Sequence, residues 1–256
     1  MSTNNGNVKT SGQVWVLGNS KGGCRKTTTA FHIAIALAYR GNRVAFIDAD
    51  SKQQSANDLL AKRAAYVEKT GEDVPFIKSE LKDVDQPLTA DIRALKQDYD
   101  YVIVDTAGHK NRAFASAVRL SNKIIMPFQP SYLDIKELYP TLQAISRIEN
   151  DWRDQLEDEN FAFHTVLVRV AYEQRQDRNN REAKELLDHF KVLQKASLAK
   201  ACIPTTNDWA GLQRYGLSLI DVKHKDRGYF EMLVDELLGN RSHAINREDL
   251  GTFPVE

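Results

Sequence analysis

Cysteine is nearly absent: Cys24 and Cys202 are the only two in 256 residues. That is too few for a disulfide framework or a sulfur-ligated metal site, and both read as reduced thiols. An excess of charge of one sign is also missing. With 35 Lys and Arg against 35 Asp and Glu the formal net charge is zero, so no global field holds a polyanion or an anionic membrane. Binding of that kind has to come from a local patch. No apolar run reaches the ~18–20 residues that span a bilayer, and Met1 to Gly12 is a polar stretch without a signal-peptide core. A cytoplasmic protein is expected. No Pro-, Gly- or Ser-rich linker divides the chain, and no internal repeat is visible. What remains is 42% hydrophobic and 27% charged residues, the balance of a globular chain.

Short apolar β-rich runs alternate with longer stretches of helical period, which predicts a mostly parallel, twisted α/β sheet with helices on both faces. Strands are expected at Val14 to Leu17, Arg43 to Asp48, Tyr101 to Asp105, Lys123 to Pro127 and Phe161 to Arg169, with weaker ones near Phe76 and Lys200. Apolar residues at i, i+3, i+4 spacing mark helices at Thr27 to Tyr39, Gln54 to Glu68, Leu88 to Gln97, Ile135 to Glu149, Asn179 to Phe190 and Gly228 to Leu238. One domain over residues 13–240 is expected, between loosely ordered polar ends at 1–12 and 241–256.

The first strand runs into Gly18-Asn-Ser-Lys-Gly-Gly-Cys-Arg-Lys-Thr-Thr and then into an apolar helix, the strand–loop–helix context of a phosphate-binding loop. Consecutive backbone N–H groups and the helix N-terminus converge there on phosphate oxygens. Lys26 is the candidate for the β- and γ-phosphates and Thr27 for a Mg²⁺ ligand. The second strand ends in Asp48 and Asp50, two residues apart and so on one face of the strand at its C-terminal edge, where open α/β sheets carry their active sites. The run Tyr101-Val-Ile-Val-Asp-Thr-Ala-Gly108 is an apolar strand ending in an acid and a glycine, the form of a Walker B strand, with Asp105 as the Mg²⁺-holding group.

Lys21-Gly22-Gly23-Cys24-Arg25-Lys26-Thr27-Thr28 resembles the deviant Walker A loop K-G-G-x-G-K-T-T of the ParA/MinD ATPases, and the resemblance covers Val14 to Leu238. It implies a single P-loop NTPase domain that binds ATP and Mg²⁺ through residues 21–28. By the same likeness Lys21 reaches across an ATP-dependent homodimer, Asp50 positions or deprotonates the attacking water, and Asp48 supports the Mg²⁺ shell. Gly108 of the D-T-A-G stretch is expected to sense the γ-phosphate. Two departures stand out: Ser51 and Lys52 replace Pro and Gln after Asp50, and Arg25 replaces the glycine before Lys26. At Arg25 a side chain either strains a turn that favours glycine, weakening nucleotide binding and slowing turnover, or brings its guanidinium to a phosphate. The first is the expectation.

The guanine-reading N-K-x-D motif is absent, so adenine is expected, with Arg169 and Pro204 as candidates for its pocket by likeness to the N-R-V and I-P-x segments. Pro130-Ser-Tyr-Leu-Asp134 resembles a segment at the family's dimer interface. Lys191, Lys195, Lys200, Arg214, Lys223, Lys225 and Arg227 are candidates for a non-specific DNA patch. The implied function is ParA-like: an ATP-driven dimer on the nucleoid that segregates or positions plasmid or chromosomal DNA or other cargo, released by a ParB-like activator. The alternative is a non-catalytic interaction module with a disabled nucleotide site. The C-terminal end has too little apolar face for a membrane-binding helix, and the cysteines are not placed to bridge an iron–sulfur cluster.

Overall fold

Eight strands, every pair parallel, are found among the residues that the computed structural model describes: 11–20, 22–108, 110–129, 131–158, 166–173, 197–205 and 207–239, with backbone only at 132, 135, 166–173 and 197–198. They are β1 (Gln13–Leu17), β2 (Val44–Ala49), β3 (Lys78–Leu81), β4 (Tyr101–Thr106), β5 (Lys123–Phe128), β6 (Val166–Glu173), β7 (Ser197–Leu198) and β8 (Ile203–Pro204). Side by side they run β3-β2-β4-β1-β5-β6-β7, and β8 pairs with β6. Helices are α1 (Lys26–Tyr39), α2 (Ser55–Thr70), α3 (Thr89–Asp98), α4 (Arg112–Leu120), α5 (Tyr132–Leu156), α6 (Ala210–Gln213) and α7 (Arg227–Leu238).

Burial on both faces is why the central strands are continuous apolar runs. Trp15, Leu17, Phe46 and Ile103 pack with α1, α2 and α7 on one side. Val14, Val16, Ile47, Val102 and Val104 pack with α3, α4 and α5 on the other. The period-2 alternation of the strands thus splits a single sheet between two cores. Because β4 sits between β1 and β2 while β5 flanks β1 on the other side, connections leave β1 and β4 in opposite directions. That opens a crevice at the C-terminal ends of these strands.

The chain after β8 is fastened across α1 and α2 by buried polar contacts. Arg63 of α2 forks onto Asp221, with Nη1 at 2.6 Å and Nη2 at 2.8 Å from the two carboxylate oxygens. Both side chains are buried. Gly216 has φ +65°, and a Cβ there would stand 2.2 Å from the Leu59 carbonyl oxygen and 2.3 Å from the Arg63 nitrogen. Only glycine meets both demands at this crossing.

Expected strand and helix boundaries shift by a few residues. The strand expected over Phe161 to Arg169 is found as Val166–Glu173, and 161–165 lie outside the described residues. The edge strand near Phe76 begins at Lys78, and the helix expected over Ile135 to Glu149 extends at both ends to Tyr132–Leu156, with Pro140 inside it. Two helices were not anticipated, α4 and the single-turn α6. The expected helix Asn179 to Phe190 and the polar ends 1–10 and 240–256 lie outside the described residues.

Candidate functional site

At the β1–α1 junction the loop backbone takes the shape that its glycines allow. Gly23 has φ +74°, and a Cβ at Gly22 or Gly23 would meet nothing within 4 Å. The space around these two glycines is open. Arg25 follows in the left-handed region, φ 68° and ψ 28°, as the residue preceding α1. It is a residue with a Cβ in the left-handed region that favours glycine, at a cost of about 1–2 kcal/mol. Its carbonyl is held by the Thr29 N–H at 2.9 Å and the Thr29 hydroxyl at 2.8 Å. On the far side, Ser20 ties the loop to α5: its N–H donates to Thr141 Oγ1 at 2.9 Å and its hydroxyl to the Glu137 carbonyl at 2.6 Å.

A cleft of about 380 Å³ opens above this loop, within the size range of small-ligand sites. Gly22, Gly23, Arg25, Lys26, Thr27 and Thr28 line it together with Asp50 and Asp105. Gln53, Thr106, Ala107 and Gln129 complete the wall. Gln53 and Gln129 escaped the sequence reading. Gln129 follows the C-terminal end of β5, a position that the crevice rule for parallel sheets marks. Lys26 Nζ lies 3.7 Å from Cys24 Sγ, and burial raises the Cys24 thiol above its usual pKa even though the Lys26 charge opposes this. A buried, protonated thiol is a poor nucleophile, so Cys24 fills the loop rather than reacting.

Three carboxylates stand at the strand ends in different environments. Asp48 and Asp105 are register partners on adjacent β2 and β4. Asp105 is buried, accepts the Thr27 hydroxyl through Oδ2 at 2.6 Å, and has no hydrogen-bond partner on Oδ1. Desolvation, helped by the charge of Asp48 and opposed by the Thr27 bond and Lys26, pushes its pKa up to about 7. A buried carboxylate oxygen without a partner, next to a hydroxyl oxygen, is an oxygen donor set that suits a hard divalent cation.

Asp48, expected to support a Mg²⁺ shell, binds backbone amides through its carboxylate. Oδ2 accepts from the N–H groups of Ala56 at 3.0 Å and Asn57 at 2.9 Å, and Oδ1 from Asp50 N–H at 3.1 Å. It caps α2, whose preceding residue Gln54 makes no side-chain cap. Asp50 is half-buried on the cleft wall, where its Oδ1 accepts from Gln53 N–H at 3.2 Å.

Lys21, Lys191 and Lys195 lie outside the described residues. Arg169 pairs in register with Met126, whereas Pro204 pairs with Glu173, four residues further along β6. These two pairing points lie about 13 Å apart along β6. Lys225 Nζ is 3.9 Å from Asp208, and Arg227 Nε is 2.8 Å from Glu231. Arg214 lies over the ring of Tyr215 at 4.8 Å, and Lys223 is exposed. The Lys200 amide binds Glu236 near the end of α7, whose first residue is Arg227. Nine helical residues, about 14 Å, separate these two basic points. No helix among the described residues is long and apolar enough to cross a membrane.

A family profile described as "ATPase MipZ" matches residues 13–187. The chromosome partitioning protein ParA of Caulobacter vibrioides is 24% identical over 210 residues, covering 70% of this chain and 76% of that protein. Among solved structures, apo McdA of Cyanothece is similar in fold, with a TM-score of 0.67 at 18% identity over 89% of this chain and 99% of that one. So is pNOB8 ParA, solved bound to nonspecific DNA, with a TM-score of 0.63 at 16% identity over 89% of this chain and 98% of that one.

Proposed function

Since the chain belongs to the MipZ ATPase family of the ParA/MinD P-loop ATPases, we propose that it is an ATP-driven dimerising switch. In this reading it binds DNA without sequence preference and positions or segregates DNA or other cargo. The observation that carries the nucleotide chemistry is the convergence of Lys26, Thr27, Asp50 and Asp105 on one cleft, with Asp105 Oδ1 buried and lacking a partner.

The residues divide the work by chemistry. Backbone amides of the Gly22–Thr28 loop and the N-terminus of α1 cradle the phosphates. Lys26 neutralises charge on the β- and γ-oxygens as a mobile point charge. Thr27 and Asp105 are the residues that would hold Mg²⁺, which supplies charge stabilisation on the phosphate oxygens when bound. Asp50, half-exposed at the rim, orients a water for attack on the γ-phosphate. Asp48 serves this constellation indirectly, by fixing the start of α2 and through it the segment that follows Asp50. Lys21 completes the dimer's phosphate contacts, coupling ATP binding to association. Lys200, Arg214, Lys223 and Lys225 contribute weak phosphate contacts that become useful when two copies pair. A ParB-like activator and a place on the nucleoid complete the proposal.

Sedimentation of the protein with and without ATP-Mg²⁺ and duplex DNA, at two salt concentrations, tests it. ATP-dependent dimers that carry DNA at low salt and lose it at high salt are expected. A monomer indifferent to ATP would instead favour an interaction module on the same fold.

A further inference from the structure

Arg25 stands where the loop pattern has glycine, and its left-handed backbone is held by the chain itself, through the two Thr29 donors on its carbonyl. Strain fixed by the loop's own hydrogen bonds is carried in folding. It is the same whichever ligand enters the cleft, and so it does not weaken binding. What distinguishes Arg25 toward a ligand is that it lines the cleft next to Lys26 and carries a guanidinium where the loop pattern has no side chain. The cleft sets Arg25 and Lys26 opposite Asp50 and Asp105, but the first turn of α1 itself carries no acid, whereas α2 and α3 open with Asp58 and Asp91. Two cations at the positive end of a helix repel the helix dipole and each other, an arrangement favoured when an anion lies between them.

We infer that Arg25 is a second phosphate-binding cation contributed by the subunit's own loop, which strengthens its grip on the polyphosphate of a nucleoside triphosphate. This inference rests on the nucleotide-site reading above. A planar guanidinium donates to two phosphate oxygens at once, where the lysine ammonium acts as a point charge. The departure from glycine therefore trades a folding cost for a phosphate contact. It reverses the expectation of weakened binding.

Calorimetric titration of ATP and ADP with Mg²⁺ into the full chain and its Arg25→Ala, Arg25→Gly and Arg25→Lys variants tests this. Arg25→Ala keeps the Cβ and its strain but removes the charge. Arg25→Gly removes both, and Arg25→Lys keeps both. Both neutral variants should bind ATP about tenfold more weakly, most clearly at low ionic strength, while Arg25→Lys stays within about threefold. Arg25→Gly should nevertheless melt at a higher temperature than the parent protein, which separates the folding cost from the binding gain. ATP binding that is unchanged or tighter in Arg25→Ala and Arg25→Gly would overturn the inference and leave the nucleotide site standing. If the parent protein and Lys26→Ala both fail to bind ATP, the site reading falls and the inference falls with it.

Discussion

Asp105 shows how one buried atom separates folding from function. Its Oδ1 has no partner and its pKa is pushed up to about 7 by burial, so at pH 8 the folded protein holds a costly desolvated charge. A shift from 3.8 to about 7 corresponds to about 4 kcal/mol. Asp105→Asn keeps the Thr27 contact geometry without the charge and should raise stability at pH 8 in metal-free buffer by up to that amount. Thermal melts should then show Mg²⁺ stabilising the parent protein and leaving the variant unmoved. A variant less stable than the parent at pH 8 would contradict the burial argument, and an equal response to Mg²⁺ would remove Asp105 from the metal site.

Among the elements, α2 depends on a cap from a different strand. Asp48, at the end of β2, receives the first free amides of α2, so its carboxylate satisfies orphan donors and complements the helix dipole together. Asp48→Ala should cost about 1–2 kcal/mol and speed hydrogen exchange selectively at the Ala56 and Asn57 amides. Unchanged exchange there would exclude a capping role. The sequence pattern marks both acids, because D-x-D spacing puts them at one strand end, but it does not say that one of them points into a neighbouring helix. That depends on where the chain turns after Asp50. The central strands were readable because burial on both faces demands uninterrupted apolar runs such as Val14 to Leu17 and Tyr101 to Val104. Helix α4 escaped because it is short and follows the D-T-A-G stretch, which reads as loop. Its signal was present in Asn111, whose side chain accepts from Phe114 N–H at 2.7 Å, and in Ala113, Phe114, Ala117 and Val118 along one face. The P-loop lysine and Asp105 were legible from spacing alone. Gln53 and Gln129 were not: the crevice rule marks the position after β5 but not its residue type, and Gln53 sits in a turn that carries no pattern of its own.

At the scale of the whole molecule, zero net charge leaves the pH dependence of stability to a few buried groups, of which His32 opposes Asp105. His32 lies on α1 one turn beyond Thr28, donates from Nδ1 to the Thr28 carbonyl at 2.8 Å, and accepts from Leu219 N–H on Nε2 at 3.4 Å. It is stacked on Phe230 at 4.1 Å and packed against Trp209. Both ring nitrogens are committed to the neutral form, and desolvation lowers the pKa from 6.5 to about 4 despite the nearby Asp221. As pH falls from 6.5 toward 4 the unfolded chain takes up a proton that the folded chain refuses, so this group removes up to about 3 kcal/mol of stability. Asp105 has the opposite sign. Folded Asp105 binds a proton up to about pH 7 while the unfolded residue releases it above 3.8, so its contribution is present at low pH and is lost as pH rises. Between pH 4 and 6.5 the two slopes oppose each other, Asp48 acting in the same sense as Asp105, so the parent protein should lose less of its urea midpoint across that window than Asp105→Asn does. Asp105→Asn removes one of the two and exposes the other. Its midpoint should fall steadily as pH is lowered from 6.5 to 4, and its advantage over the parent at pH 8 should shrink to near zero at pH 4. A flat profile in the variant would show that His32 is not the opposing group. A steep acid loss already present in the parent would show that Asp105 does not hold its proton in the folded state.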